Sequence, residues 1–241
     1  MKKLLLASFA VILIASMSSA VYLSPAITPQ KGKWGVSLAW ASTSNYGNYP
    51  DLKFDGMVAS VKYDINDKVG LSFTYGQPNP NGSALTYTIS GGGTYLGTRL
   101  TYNFLNEFDG KTPVSLAGFI SGTMIGGSID FKNSTTGVLP NMNSGASLSS
   151  YTGGVVVSKL ISMFIPYAVI SYGSNSLSLD NTAVVGALPG SSTALNMSIG
   201  TGIAFHEKVA LFLEYESSSI STGGASYTSP TIGALIGIGL N

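Results

Sequence analysis

Residues 34–40 read Trp-Gly-Val-Ser-Leu-Ala-Trp, a run that alternates large apolar side chains with small ones. Successive side chains of a β-strand point to opposite faces of the sheet, so this run predicts a strand with one apolar face. The run lies in a candidate strand at 33–42. Nine similar segments follow at 56–65, 68–76, 94–104, 113–122, 150–160, 166–173, 194–205, 208–216 and 231–240. Each is close to the length that a tilted strand needs to cross a bilayer, about 9–11 residues.

The connections between these segments alternate between short and long. The short ones contain residues 66–67, 106–111, 162–163 and 206–207, and the long ones run about 43–55, 77–93, 123–149, 174–193 and 217–230. This rhythm predicts an all-β fold, a closed antiparallel up-and-down transmembrane β-barrel of about ten strands, with both termini on the periplasmic, short-turn side. Eight or twelve strands remain open if a long loop hides a hairpin. The brief alternation at 86–89 is interpreted instead as barrel wall beyond the membrane.

The first twenty residues have the pattern of a secretory signal peptide. Lys2 and Lys3 precede an apolar run at 4–14, and small residues at 18–20 suit a signal peptidase. The run is too short to span the bilayer as a helix, which needs about 20 residues. We therefore expect an exported protein with a signal peptide at 1–20 and a barrel domain at 21–241.

The composition excludes several classes of function. Charged residues make up 10% of the chain, against about 25% in soluble domains, which favours a lipid-facing barrel over a soluble β-sandwich. Cysteine is absent and the formal net charge is +1. Disulfides and thiolate zinc sites are therefore excluded, and no nucleic-acid partner is indicated.

Aromatic residues provide a second test of the barrel, because Tyr and Trp collect at both membrane interfaces. One predicted belt lies at the long-loop side and comprises Trp40, Tyr75, Tyr95, Tyr151, Tyr172 and Tyr215. The other lies at the short-turn side and comprises Trp34, Tyr63, Tyr102 and Phe205.

On these features the chain resembles the small bacterial outer-membrane β-barrel proteins, both porin-like and opacity-adhesin-like. The resemblance implies a Gram-negative outer membrane, with outer-membrane lipid and the barrel assembly machinery as partners and no cofactor. Such proteins often end in an aromatic residue, whereas this chain ends Gly239-Leu240-Asn241.

Five charged residues fall on the small-residue face of their predicted strands and are expected in the lumen: Lys62, Asp64, Arg99, Glu214 and Glu216. A charge on the lipid face is costly, so this placement is compatible with plain ion pairs as well as with a selective constriction. We expect Arg99 and Glu214 at mid-lumen. The small lining residues favour a narrow, water-accessible lumen, although inward Phe119, Phe212 and Leu235 would plug part of it.

Enzyme activity is not expected. The omptin proteases resemble this chain in strand number, but they need a histidine at the extracellular rim, and the only histidine, His206, falls in a short turn. No catalytic, cofactor-binding or metal site is predicted. Two functions stay open: passive diffusion of small polar solutes through a narrow lumen, or a non-conducting structural or adhesin-type barrel. In the second case, loops 123–149 and 174–193 would bind a surface partner.

Overall fold

The computed structural model describes residues 32–46, 49–84, 87–107, 110–133, 142–179, 190–206, 208–222 and 225–240. The predicted signal peptide at 1–20 lies outside these residues. Within the described part of the chain, no helix has the length and hydropathy of a membrane span.

Ten antiparallel strands form one closed ring, which confirms the predicted fold class and strand count. They are β1 (Trp34–Tyr46), β2 (Tyr49–Asp64), β3 (Val69–Ala84), β4 (Tyr87–Leu105), β5 (Ser115–Asn133), β6 (Met142–Ser158), β7 (Phe164–Leu179), β8 (Gly190–His206), β9 (Val209–Thr222) and β10 (Ala225–Leu240). Each strand pairs with its neighbours in sequence. We call the end that carries residues 65–68, 106–107, 110–114, 159–163 and 208 the lower end, and the opposite end the upper end.

The ring is closed by the pairing of β1 with β10, which runs from Trp34 opposite Leu240 to Thr43 opposite Thr231. Inside hydrocarbon every backbone N–H and C=O must find a partner within the protein, and closure removes the two edges that an open sheet would leave. The alternating pattern of the sequence is what allows closure, because it presents apolar side chains outward from every strand.

The strands are longer than predicted, and this corrects the boundaries of the long loops. β4 and β5 have 19 residues each, and most of the predicted loops at 43–55, 77–93, 123–149, 174–193 and 217–230 is strand. The residues between the strands at the upper end are 47–48, 85–86, 134–141, 180–189 and 223–224, and they lie outside the described residues. Polar segments form strands here because the neighbouring strand continues beside each one and supplies ladder hydrogen bonds. The interpretation of 86–89 as barrel wall is confirmed for 87–89, since β4 begins at Tyr87, and residue 86 lies outside the described residues.

The outward and inward faces follow the predicted alternation. Leu38 and Trp40 on β1 are exposed outward, and Ala39 and Ala41 between and beyond them are buried. The consecutive valines of β6 leave its facing ambiguous in the sequence. In the structure Val156 is buried inside, and its two neighbours point outward.

The polarity of the two faces inverts along the barrel. On β3, the exposed outward residues are Phe73 and Tyr75, and further up they are Gln77 and Asn79. Above this level several inward positions are apolar and buried: Phe54, Pro78, Pro80, Ile125, Ile129 and Leu148. An outward polar face and an inward apolar face are what a β-barrel standing in water requires. The upper part of the wall is therefore built as an extension beyond a membrane.

Candidate functional site: the barrel interior

Apolar side chains form a buried cluster in the lower part of the barrel interior, on the side of the ring built by β5 to β10. The buried members of this cluster, which we call the lower plug, are Ala117, Phe119, Val156, Tyr167, Val169 and Phe212, with Ile165, Ala210 and Leu235 packed against them. They come from the lower ends of β5, β6, β7, β9 and β10. The inward direction predicted for Phe119, Phe212 and Leu235 is confirmed.

Glycines on neighbouring strands make room for the three rings of the lower plug. Tyr167 lies over Gly200, Phe212 lies over Gly202, and a Cβ added at either glycine would collide with the ring. An added Cβ at Gly154 would lie 2.7 Å from Cζ of Phe119. Tyr167 and Phe212 meet edge to face with centroids 6.4 Å apart, an arrangement that aromatic pairs prefer. Each ring thus occupies the space that a small residue on the next strand leaves.

A group of charged and hydroxyl side chains lies on top of the lower plug. The guanidinium carbon of Arg99 is 4.2 Å from the centroid of Phe119, a cation–π distance. The Tyr167 hydroxyl donates a hydrogen bond of 2.8 Å to Oε2 of Glu214, and the charge of Arg99 acts on Glu214. Arg99 is on β4 and Glu214 is on β9, five places apart in either direction around the ring. The two side chains therefore project into the lumen from opposite walls.

Glu216 lies two residues further up the same strand and is 2% exposed. It accepts hydrogen bonds from Oγ of Ser198 at 3.3 Å and from Oγ of Ser218 at 2.9 Å. A buried carboxylate is tolerated only when hydrogen-bonded or paired. Both glutamates meet this requirement within the lumen.

The remaining two predicted lumen charges form a separate pair. Nζ of Lys62 lies 3.1 Å from Oδ1 of Asp64, at the lower end of β2. The ladders place Lys62 opposite Ser72 and Ser72 opposite Arg99, so the pair lies two strands from Arg99 along the wall.

The predicted aromatic belts need one correction. Eight of the ten residues are exposed on the outer face: Trp34, Trp40, Tyr75, Tyr102, Tyr151, Tyr172, Phe205 and Tyr215. Tyr63 is half-buried against Trp34, with ring centroids 4.6 Å apart. Tyr95 was assigned wrongly, because it is 6% exposed and lies inside over Gly97. Residues four apart on a strand share a face, so the inward direction of Arg99 requires Tyr95 to point inward too.

The sequence reasoning missed an apolar site in the upper interior. A cavity of about 30 Å³ is lined by Phe54, Pro78, Pro80, Gly92, Gly93, Ile125, Gly127, Ser128, Ile129, Ala146 and Leu148. These residues were missed because most of them fall in segments interpreted as loops. The spacing of Ile125 and Ile129, with polar or small residues between them, is the signal that indicates strand.

No arrangement for metal binding or histidine chemistry is present in the described residues. They contain no group of three or more His, Cys, Asp or Glu side chains placed to hold a metal ion. His206 ends β8, is exposed, and its Nδ1 accepts a hydrogen bond of 3.3 Å from the backbone N–H of Lys208.

A closed ring of antiparallel strands with an apolar outer face is the fold of the outer-membrane β-barrel proteins. Comparison with solved structures places this chain beside the translocator domain of autotransporter NalP from Neisseria meningitidis, at 11% identity over 94% of this chain and 92% of that chain, with a TM-score of 0.52. The beta domain of the Bordetella autotransporter Brka is similar at 10% identity over 86% and 98% of the two chains, with a TM-score of 0.51. No protein-family model and no curated protein sequence matches the chain. At these identities the comparisons show the fold alone.

Proposed function

We propose that this protein is a bacterial outer-membrane β-barrel whose lumen is closed, and that it works as a structural or surface-binding protein rather than as an open pore. The observation that carries the proposal is the lower plug, with the Arg99–Glu214 group on top of it. Together they place large side chains from β4, β5, β7 and β9 inside a ten-stranded lumen.

The number of strands makes side-chain size decisive. Barrels of about 8 strands are filled by their side chains, and those of about 16–18 leave an aqueous channel. This barrel has ten strands, between these two cases, and in the proposed function the three inward rings close it. Phe119 comes from β5, Tyr167 from β7 and Phe212 from β9, so three of the ten strands each contribute one ring to the interior.

The proposed location rests on the outer surface. Exposed tyrosine and tryptophan side chains occur towards both ends of the strands, and apolar side chains lie between them. This is the pattern of a barrel that crosses a bilayer with headgroups at both belts. With the upper extension outside the cell, both termini are periplasmic, and the partner surface is the upper end, including what remains of loops 123–149 and 174–193. Outer-membrane lipid and the barrel assembly machinery are the partners that biogenesis of such a barrel would require.

Narrow diffusion of small polar solutes is the second candidate. It is favoured by the polar middle layer of the lumen, where the hydroxyl oxygens of Ser121, Thr123 and Ser150 are buried without a hydrogen-bond partner. Buried hydroxyls normally have protein or water partners. These three hydroxyls would therefore bind water or a polar solute passing through the lumen if the side chains of the lower plug moved aside.

Single-channel recording of the refolded 21–241 chain in a planar bilayer separates the two candidates. We expect no discrete steps from wild type, with folding established by heat-modifiable migration on gels and by β-type circular dichroism. Phe119→Ala combined with Phe212→Ala removes two rings of the lower plug and is expected to produce steps. The matched control replaces the outward-facing neighbours, Ile120→Ala with Leu213→Ala, and is expected to stay silent.

Reproducible steps from folded wild-type protein would contradict the closed lumen and support solute diffusion. In that case Arg99→Ala and Glu214→Ala should change the conductance or the ion selectivity, because both side chains stand in the path.

A further inference from the structure

We propose that the lower interior of the barrel binds a small oxyanion beside the lower plug, with Lys62 and Arg99 as the charged groups of the site. The ligand enters from the lower end and does not pass through the barrel. This inference goes beyond the proposed function, because it requires neither a partner at the upper end nor a particular orientation in the membrane.

The interior is open on one side of the lower plug. The buried members of the lower plug are at most 6% exposed, whereas inward residues in the lower part of β1 to β4 are partly exposed. Inside a closed ring, an inward side chain is exposed only to space within the lumen. A pocket, which we call the side pocket, therefore lies along these four strands. Its partly exposed residues are Ser37, Ser60, Lys62, Ser72, Arg99 and Thr101.

The side pocket is closed above these residues. On β1 and β2 the next inward residues are Ala39 and Val58, which are 3% and 7% exposed. Val58 lies against Gly76 of β3, and Tyr95 lies over Gly97 of β4. A ligand in the side pocket therefore has no path upward along these strands, and the pocket suits a small molecule rather than a polymer.

The lower end of the side pocket gives access to it. Gly35 of β1 pairs with Gly239 of β10 at this end. Neither glycine has a side chain that would cover the opening, and Gly239 is exposed. Among the described residues, the side pocket thus opens toward the lower end.

The accessible charges of the side pocket are positive. Lys62 and Arg99 are partly exposed, and so is Lys33 next to the start of β1. The two nearest acids, Asp64 and Glu214, are buried at 8% and 7% exposure. An anion that enters the pocket therefore meets the cations, and the carboxylates that interact with them are shielded from it.

The strand register places the two cations on either side of a hydroxyl group. Lys62 lies opposite Ser72, and Ser72 lies opposite Arg99. Adjacent strands are about 5 Å apart, so the backbones at Lys62 and Arg99 are separated by about 10 Å. Thr101 is two residues from Arg99 on the same inward face and adds a second hydroxyl.

This set of donors selects an oxyanion. Ammonium, guanidinium and hydroxyl groups all donate hydrogen bonds, and the several oxygens of a phosphate or carboxylate can accept from more than one of them at once. A hydrocarbon in the pocket would remove water from Lys62 and Arg99 without replacing its hydrogen bonds. A cation would be repelled by both side chains.

Protection of Lys62 from acetylation tests the site in the wild-type barrel. The folded protein in a neutral maltoside detergent is treated briefly with acetic anhydride, and the labelling of each lysine is measured by peptide mass spectrometry. Inorganic phosphate is the probe. At ten times its dissociation constant about one-tenth of the sites are free, so we expect about tenfold slower labelling of Lys62. Lys53 is exposed on the same strand and should be labelled equally with and without phosphate.

Two outcomes of this experiment would overturn the proposal. If Lys62 is not acetylated in the folded protein, the side pocket is not accessible. If potassium chloride at equal ionic strength protects Lys62 as well as phosphate does, the effect is screening of charge and not binding of an oxyanion.

Phosphate affinity in variants tests the role of Lys62. The dissociation constant is measured from the line width of the phosphorus NMR signal of inorganic phosphate. We expect Lys62→Gln to weaken binding about tenfold, because it removes a charge-assisted hydrogen bond. The matched control Lys53→Gln removes the same charge from an exposed position and should leave the dissociation constant unchanged. Equal dissociation constants in these two variants would contradict the site.

Asp64 provides a change in the opposite direction. Its Oδ1 lies 3.1 Å from Nζ of Lys62 and competes with an anion for that group. Asp64→Asn should therefore tighten phosphate binding, and unchanged or weaker binding would contradict the proposed role of Lys62. If Lys62→Gln does not fold because Asp64 has lost its ion pair, the double variant Lys62→Gln with Asp64→Asn replaces it and is expected to bind more weakly than Asp64→Asn alone.

Discussion

The hydrogen bond between Tyr167 and Glu214 gives a measurable test of the proposed closed lumen. The variant Tyr167→Phe keeps the ring on Gly200 and removes only the hydroxyl that lies 2.8 Å from the glutamate. Both side chains are buried, at 5% and 7% exposure. A buried acceptor that loses its donor costs about 1–3 kcal/mol, so we expect the free energy of unfolding to fall by about that amount.

The assay is urea unfolding of the refolded barrel in lipid vesicles, followed by tryptophan fluorescence. Tyr172→Phe is the matched control, because Tyr172 is an exposed outward residue on the same strand, and we expect a change within about 0.5 kcal/mol. A double-mutant cycle with Glu214→Gln then isolates the pair, and coupling of about 0.5 kcal/mol or more is expected for residues in contact. If Tyr167→Phe is as stable as the control, water reaches Glu214 in place of the lost hydroxyl and the reasoning about a closed lumen fails.

Two further predictions test the seating of the rings and the corrected belt. Gly200→Ala places a Cβ against the ring of Tyr167, and we expect it to destabilise the barrel by about 1–3 kcal/mol. Gly237→Ala, whose Cβ would lie 3.6 Å from Leu235, should cost less, and equal losses in the two variants would contradict the seating of Tyr167 on Gly200. In a background with Trp34 and Trp40 replaced by phenylalanine, Tyr75→Trp should be quenched strongly by brominated lipids and Tyr95→Trp weakly. Strong quenching of the Trp at position 95 would show that this side chain lies on the outer face and would contradict the inward placement of Tyr95.

The ring of ten strands was predictable because it follows from alternation and from the rhythm of the connections. Each property can be read within one strand or between two consecutive strands. The facing of Phe119 and Phe212 was predictable for the same reason. Tyr95 was misplaced because its position near a strand end was given more weight than its spacing from Arg99, although the parity of the strand determines its face.

The length of the strands was not predictable from the same signal. The search for apolar outward residues stops where the outer face becomes polar, and on β3 this happens between Tyr75 and Gln77. Above that point the alternation continues, but the polar residues face outward and the apolar residues, such as Pro78 and Pro80, face inward. A single strand that continues through both parts is therefore predicted as a strand where its outer face is apolar. It is predicted as a loop where its outer face is polar.

The filling of the lumen depends on register, which a single strand does not contain. Glycines and serines on the inward face predict empty space when each strand is considered alone. In the structure Gly200 pairs with Tyr167 and Gly202 lies two residues from it on the same face, and the rings of Tyr167 and Phe212 cover these two glycines. In the same way, the ring of Phe119 on β5 lies against Gly154 on β6. The small residues that suggest an open pore are thus the positions over which the large inward rings lie. Whether such a lumen is open depends on which neighbour each glycine faces, and this is fixed only once the ten strands have closed.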